Sequence, residues 1–140
     1  MPITLTVSEG LLSRQAQAQA FADLTQALLQ VAGLTGNAFM SPNVVGTITV
    51  LPKEQVFSGG EPASAAFLEL KLPEIALATP QAKQAFIEAA TDVVERACEG
   101  RLPRERIWTN IVYAAEGSWG IGGRAYAHTD LMEAIQTAAE

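Results

Sequence analysis

One pattern of secondary-structure elements occurs twice along this 140-residue chain, and the repeat restricts the fold more than any other feature of the sequence. Leu5 and Leu68 lie in the first predicted strand of each half and are 63 residues apart, as are Gly60 and Gly123 at the glycine-rich ends. A constant separation at both ends indicates a duplicated unit. We therefore predict a single domain over residues 1–140 that contains two pseudo-repeats, at about 1–62 and 63–127, and a short C-terminal helix at about 129–139.

Each half has the pattern of a strand, a helix and a second strand. Alternating apolar and polar residues predict the strands, whereas apolar residues at three- and four-residue steps predict the helices. Ser13 and Thr79 are typical N-caps, and Pro80 suits a first helical position because it has no N–H to leave unpaired. The predicted segments are residues 4–7, 13–31 and 44–51 in the first half and residues 66–72, 79–100 and 107–114 in the second.

The order of these elements predicts an α+β fold. A right-handed crossover makes the two strands of a βαβ unit parallel. Two such units can form one four-stranded mixed sheet with both helices on one face. The other face would be apolar and uncovered, and large apolar patches are rarely left in water, so we expect oligomerisation through the sheets.

Charge and composition exclude several classes of function. The net charge of −6 argues against a nucleic-acid partner, because phosphate backbones select basic surfaces. The chain has no run of about 20 apolar residues, which predicts no transmembrane helix, and it begins without the pattern of a secretory signal. The single cysteine, Cys98, favours a reducing, cytoplasmic location and a packing role. His128 is the only histidine, and with no metal-ligand spacing or phosphate loop in the chain we predict neither a metal nor a cofactor.

The chain starts with Met1-Pro2 and continues directly into a predicted strand. Methionine is normally removed when the next residue is as small as proline, and Pro2 would then carry a free secondary amine. An α-amino group titrates near pH ~8, and burial in an apolar pocket lowers its pKa further by disfavouring the charged form. Such an amine can act as a general base at neutral pH without a histidine.

These features together resemble the tautomerase superfamily. The Met-Pro start, the 60-odd-residue βαβ unit and the Gly117–Gly123 segment, which reads GSWGIGG, are similar to 4-oxalocrotonate tautomerase. The doubled length resembles the fused members and the macrophage migration inhibitory factor and cis-3-chloroacrylic acid dehalogenase branches. The resemblance implies the tautomerase-like β-α-β fold, a homotrimer and catalysis by Pro2.

The resemblance also assigns roles to residues near the end of the second half. Trp119 falls where 4-oxalocrotonate tautomerase has a phenylalanine that lines the active site, and a hairpin or subunit-interface aromatic is the alternative. Asn110 falls where migration inhibitory factor has a substrate-binding asparagine and where the dehalogenase has a catalytic tyrosine; the alternative is that its amide pairs with backbone. Trp108 occupies the position of a substrate-binding arginine, and Arg106, two residues earlier and on the same strand parity, is the candidate to replace it.

Two further arginines are candidates for holding a substrate carboxylate. Arg14 is the nearest cation to the position of a second family arginine, after the first strand, and a solvated role in the first helical turn is the alternative. Arg124 follows the glycine-rich segment. The dehalogenase's pair of arginines after its third strand has no counterpart in residues 72–75, which argues against dehalogenation by that route.

The function predicted from the resemblance is keto-enol tautomerisation of a small 2-oxo or 2-hydroxy-dienoate acid by a probable 4-oxalocrotonate tautomerase-like isomerase. Pro2 would act as base and then as acid, and Asn110 or an arginine would stabilise the enolate oxygen. The alternatives are a hydratase, decarboxylase or dehalogenase of the same fold, a non-catalytic binding protein, or a specialised biosynthetic member. Retention of Met1 would favour the last two, because it makes the Pro2 nitrogen a tertiary amide.

Overall fold

The computed structural model describes residues 1–139, and its main elements follow the predicted order. The two long helices are capped as the sequence predicted, since the Ser13 and Thr79 hydroxyls accept hydrogen bonds from the amides of Ala16 and Ala82 at 3.1 Å each. The bounds are β1 (Pro2–Ser8), α1 (Arg14–Val31), β2 (Val45–Leu51), β3 (Phe57–Ser58), β4 (Glu61–Pro62), β5 (Ala66–Pro73), α2 (Pro80–Cys98), β6 (Ile107–Ala114), β7 (Trp119–Ile121), β8 (Arg124–Tyr126) and α3 (His128–Thr137).

The long strands form one mixed sheet in the order β2-β1-β5-β6, which confirms the predicted α+β architecture. The pairs β1–β2 and β5–β6 are parallel, whereas β1 and β5 are antiparallel. Leu5 of β1 lies directly opposite Leu68 of β5. The two βαβ units therefore meet at the residues whose spacing first indicated the repeat.

One face of the sheet is buried against α1 and α2. Alternate residues of β1 and β5 point into this core, where they are at most 1% exposed. Burying a side chain of this size contributes about 1.5–3 kcal/mol. The strand residues at the centre of this core are Ile3, Leu5, Val7, Leu68, Leu70 and Leu72.

The opposite face of the sheet is open and only partly apolar, which differs from the predicted apolar face. Apolar residues with more than a third of their surface exposed are Val45, Phe67, Trp108 and Val112. The rings of Phe67 and Trp108 stack with centroids 5.5 Å apart. Threonines, Glu69, Lys71 and Asn110 share this face. Because side chains alternate along a strand, the exposed apolar residues and these polar residues lie on the same surface of the sheet.

The segments outside the sheet differ in detail from the prediction. The glycine-rich end of each half forms a two-stranded hairpin, β3–β4 or β7–β8. Helix α3 begins at His128, one residue before the predicted start, and the amide of Ala127 donates to the Asp130 carboxylate at 3.3 Å. No helix within residues 1–139 has the length and apolar character needed to cross a membrane.

Cys98 lies at the end of α2 with no exposed surface. Burial raises the pKa of its thiol, which disfavours the thiolate that a nucleophile needs. Cys98 is therefore a packing residue, as the sequence predicted.

Among the glycines of residues 1–139, Gly46 has the least room for a side chain. A Cβ added there would lie 1.9 Å from the Ile3 carbonyl oxygen and 2.5 Å from the ring of Phe21. Because the first of these contacts is with backbone, we expect Gly46→Ala to lower the free energy of unfolding by about 2 kcal/mol, measured as a lower urea midpoint. Gly120→Ala is the control, since its Cβ would meet only the Arg124 carbonyl oxygen at 3.9 Å. Equal midpoints for the two variants would contradict the packing described here.

Candidate active site

A cavity of about 450 Å³ opens where β1 begins. Pro2 and Trp119 both line it, so the predicted base and the predicted pocket aromatic lie at the same site. The rest of the wall comes from the turn before β2, from β2 and β5, from the end of β6, and from the start of β7 with the residue before it. The lining residues from these elements are Asn43, Val45, Lys71, Val112, Tyr113, Ala114, Ser118, Gly120 and Ile121, together with Met1.

The register of the sheet explains this grouping. Because Ile3 pairs with Leu70 in an antiparallel ladder, the start of β1 lies beside the end of β5, where Lys71 is found. Lys71 pairs in turn with Val112 in the parallel ladder to β6. The chain leaves β6 at Ala114 and returns as β7, which brings Trp119 over the same end of the sheet.

Met1 occupies the junction between this cavity and the core. Its side chain is only 3% exposed, and its amino group donates a hydrogen bond to the Asn43 carbonyl. Burial lowers the pKa of this amino group from 8.0 to about 6. With Met1 in place the nitrogen of Pro2 is an amide, which has no basic lone pair.

Within residues 1–139, Lys71 is the residue with a cationic side chain that lines the cavity. Its ammonium group lies 3.4 Å from a Glu69 carboxylate oxygen on the open face of the sheet, and both side chains are about half exposed. An exposed ion pair of this kind contributes little to stability. Lys71 is therefore able to exchange Glu69 for an anionic ligand at small cost.

Tyr113 belongs to the wall and not to the reactive groups. Its hydroxyl lies 2.9 Å from each of the carbonyl oxygens of Ala76 and Leu77, to which it donates. Burial raises the pKa of this phenol, so the group stays protonated at neutral pH. Tyr113 thereby fixes the loop between β5 and α2 next to the cavity.

The other predicted site residues do not line this cavity. Arg14 is exposed at the start of α1, and Arg106 precedes β6, so both lie at the opposite end of the sheet from Pro2. Trp108 and Asn110 lie on the open face, beside Phe67 and Glu69 of β5.

Arg124 also lies outside the cavity. Its guanidinium is 4.7 Å from the centre of the Tyr126 ring and 3.8 Å from Asp130. Within one subunit, the site therefore unites Pro2 and Trp119 but none of the arginines proposed to bind substrate.

The duplicated half has no equivalent amine. The position 63 residues after Pro2 is Ala65, an internal residue with no exposed surface. Its amide donates to the Ser8 hydroxyl at 2.9 Å, and that hydroxyl donates to the Ala65 carbonyl at 3.3 Å. The second βαβ unit therefore carries a hydrogen-bonded internal peptide group at the position that corresponds to Pro2.

Sequence reasoning missed Lys71, Asn43 and Tyr113. A signal for Lys71 was present, because Glu69 and Lys71 alternate with the buried leucines of β5 and must point to the open face. The sequence does not reveal the register between β1 and β5, which brings Lys71 next to Pro2. Within residues 1–139, no group of three or more His, Cys, Asp or Glu side chains is arranged to hold a metal ion.

Solved structures with the same architecture identify the fold. No protein-family model matches the chain, and no curated protein matches it by sequence. The chain is similar to N1, a member of the cis-3-chloroacrylic acid dehalogenase family, with a TM-score of 0.78 and 18% identity over 95% of this chain and 88% of that one.

Two further structures agree with this assignment. A fused 4-OT, solved as a symmetric trimer, has a TM-score of 0.76 and 16% identity over 94% and 98% of the two chains. Pt0534 inactivated by 2-oxo-3-pentynoate has a TM-score of 0.75 and 17% identity over 92% and 98%. These likenesses establish that the chain has the fold shared by structures of the tautomerase superfamily, as its sequence predicted.

Proposed function

We propose that the protein is an isomerase that interconverts keto and enol forms of a small 2-oxo or 2-hydroxy-dienoate acid with the amine of Pro2. The observation that carries the proposal is the meeting of Pro2, Trp119 and Lys71 around one cavity. The proposal includes removal of Met1, which turns the Pro2 nitrogen from an amide into a secondary amine. Apolar side chains of Val45, Val112 and Trp119 line the cavity beside Pro2, and such surroundings disfavour the charged form of an amine.

The chemistry needs one group that takes and returns a proton. The Pro2 nitrogen removes a proton from the enol hydroxyl or from the carbon beside the carbonyl, and the prolinium returns it at the other position. The Lys71 ammonium pairs with the substrate carboxylate, because it is the cation at the cavity. Trp119 supplies an apolar wall that keeps the amine desolvated.

A homotrimer belongs to the same proposal. The fused 4-OT structure is a trimer, and the open sheet face of this chain carries the exposed Phe67–Trp108 stack. In such a trimer, a neighbouring subunit would contribute further residues to the site. The predicted roles of Asn110, Trp108, Arg14, Arg106 and Arg124 stay predictions for a site of that kind, and a cytoplasmic location stays a prediction from the lone, buried cysteine.

A non-catalytic binding protein is the second candidate, and the packing of Met1 favours it. The Met1 side chain is almost fully buried, so the retained residue would fit the fold without strain. The two candidates differ in the covalent state of the chain, and this difference can be measured directly.

The first test joins that measurement to the chemistry. Intact mass spectrometry is expected to show a chain that lacks Met1. Below the pKa of the Pro2 amine, kcat/KM for phenylenolpyruvate is expected to fall about tenfold per pH unit, because only the neutral form of the amine is a base. Pro2→Ala should lower kcat by at least about a hundredfold. Covalent labelling of the N-terminal peptide by 2-oxo-3-pentynoate, the inactivator of Pt0534, would locate the amine. A retained Met1, or unchanged turnover by Pro2→Ala, would refute the mechanism.

The second test concerns Lys71. Lys71→Gln removes the charge that pairs with the carboxylate, and we expect kcat/KM to fall about tenfold or more, mainly through KM, because a charge-assisted hydrogen bond contributes about 1.5–3 kcal/mol. Lys71→Arg should recover part of the loss. Lys53→Gln is the matched control, since Lys53 is exposed and does not line the cavity. Equal KM values for the Lys71→Gln and Lys53→Gln variants would show that Lys71 does not bind substrate.

The third test concerns assembly. Light scattering on an eluting peak should give about three times the chain mass of 14.8 kDa. Trp108→Glu, which puts a charge into the apolar part of the open face, should reduce this mass, whereas Ala85→Glu on the exposed side of α2 should not. A monomeric wild-type protein would refute the trimer.

A further inference from the structure

A second cavity, of about 200 Å³, lies beneath α3 and beside the candidate active site. Apolar side chains surround it: Leu28 and Met40 come from the α1 side, and Leu131 and Ile135 from α3. No charged side chain lines it within residues 1–139. A ligand group that enters this space must therefore be apolar, because a charge would lose its hydration without gaining a partner.

Met1 separates the two cavities. Within residues 1–139 it is the one residue that lines both the Pro2 cavity and the cavity under α3. The ladder between β5 and β6 brings the two spaces together, since Pro73 lines the second cavity and pairs with Ala114, which lines the first. Removal of Met1 would therefore take away the residue that the two cavities share, next to Pro2.

The walls of the second cavity are held by hydrogen bonds. The Asn37 side-chain amide donates to the Ile135 carbonyl at 2.9 Å, while its oxygen accepts from the amides of Phe39 and Met40 at 3.1 and 2.9 Å. On the other side, Tyr113 holds the carbonyls of Ala76 and Leu77. These contacts do not involve Met1, so we expect the space to persist once Met1 is gone.

We propose that the space vacated by Met1, together with the cavity under α3, binds the apolar tail of the substrate. The inference rests on the proposed function, since it requires Met1 to be absent and Pro2 to act on the substrate. The Met1 side chain, an unbranched apolar chain of about four heavy atoms, shows the size and chemistry of the group that fits. With the carboxylate at Lys71 and the reacting carbon at Pro2, the preferred substrate is a monocarboxylic 2-oxo acid with an aliphatic tail and not a dicarboxylate.

A series of 2-oxo acids of increasing length tests the inference. Exchange of the C3 protons for deuterium, followed by NMR, reports enolisation of every member by the same step. From 2-oxobutanoate to 2-oxoheptanoate, kcat/KM should rise about fourfold per methylene, the factor expected for transfer of one CH₂ out of water. The dicarboxylate 2-oxohexanedioate should be turned over at least tenfold less efficiently than 2-oxoheptanoate.

Two variants test whether the dependence of kcat/KM on chain length arises in the second cavity. Ala76→Phe fills the second cavity and should lower the ratio of kcat/KM for 2-oxoheptanoate to that for 2-oxobutanoate at least tenfold. Ala85→Phe adds the same ring on the exposed side of α2 and should leave the ratio unchanged. If Ala76→Phe does not fold, Ile135→Ala enlarges the same cavity and should shift the preferred acid to a longer chain.

The outcomes separate this inference from the proposed function. Exchange that depends on Pro2 but not on chain length, or a ratio that Ala76→Phe leaves unchanged, would overturn the tail site and leave the isomerase proposal standing. Retention of Met1 in the intact mass, or no exchange of any acid, would overturn both.

Discussion

The antiparallel pairing of β1 with β5 is the interaction on which the rest of the structure depends. Leu5 and Leu68 face each other across it, and both are almost fully buried under the helices. A shift of one residue in this register would turn the buried leucines to the open face. Because the two strands run in opposite directions, the same pairing sets the start of β1 against the end of β5, and so brings Pro2 to Lys71.

Two βαβ units form the sheet, but the two ends of this sheet are chemically different. At one end of the sheet β1 begins at a terminus, beside an open cavity with a cation. At the other end the equivalent position is Ala65, whose amide is held by Ser8 in the interior. The predicted Arg14 and Arg106 lie at this second end. Their distance from Pro2 explains why sequence spacing within one half is a poor guide to a site that forms between the halves.

Met1 connects the covalent state of the chain to the shape of the site. Its side chain fills apolar space under α3, and its peptide bond makes the Pro2 nitrogen non-basic. Under the proposed function, one cleavage would therefore release the amine and open a place for an apolar tail at the same time. Desolvation by the apolar walls underlies both effects. The walls that would bind an apolar tail also lower the pKa of an amine beside them.

The sequence alone predicted the helices, the strands and the mixed sheet, because apolar periodicity and helix caps are local properties that the printed residues carry. Thr79, Pro80 and the alternating leucines of β5 are enough to predict α2 and β5 almost to the residue. The sequence also named Pro2 and Trp119 as candidate site residues, through the resemblance of the two ends of the chain to a known family, and their roles stay predictions. Only the tertiary structure decided that Lys71 and Tyr113 lie beside Pro2, that the arginines do not, and that Met1 fills an apolar space. These contacts depend on strand register and on the packing of α3. Both bring together residues that are far apart in the chain, so no local sequence pattern predicts them.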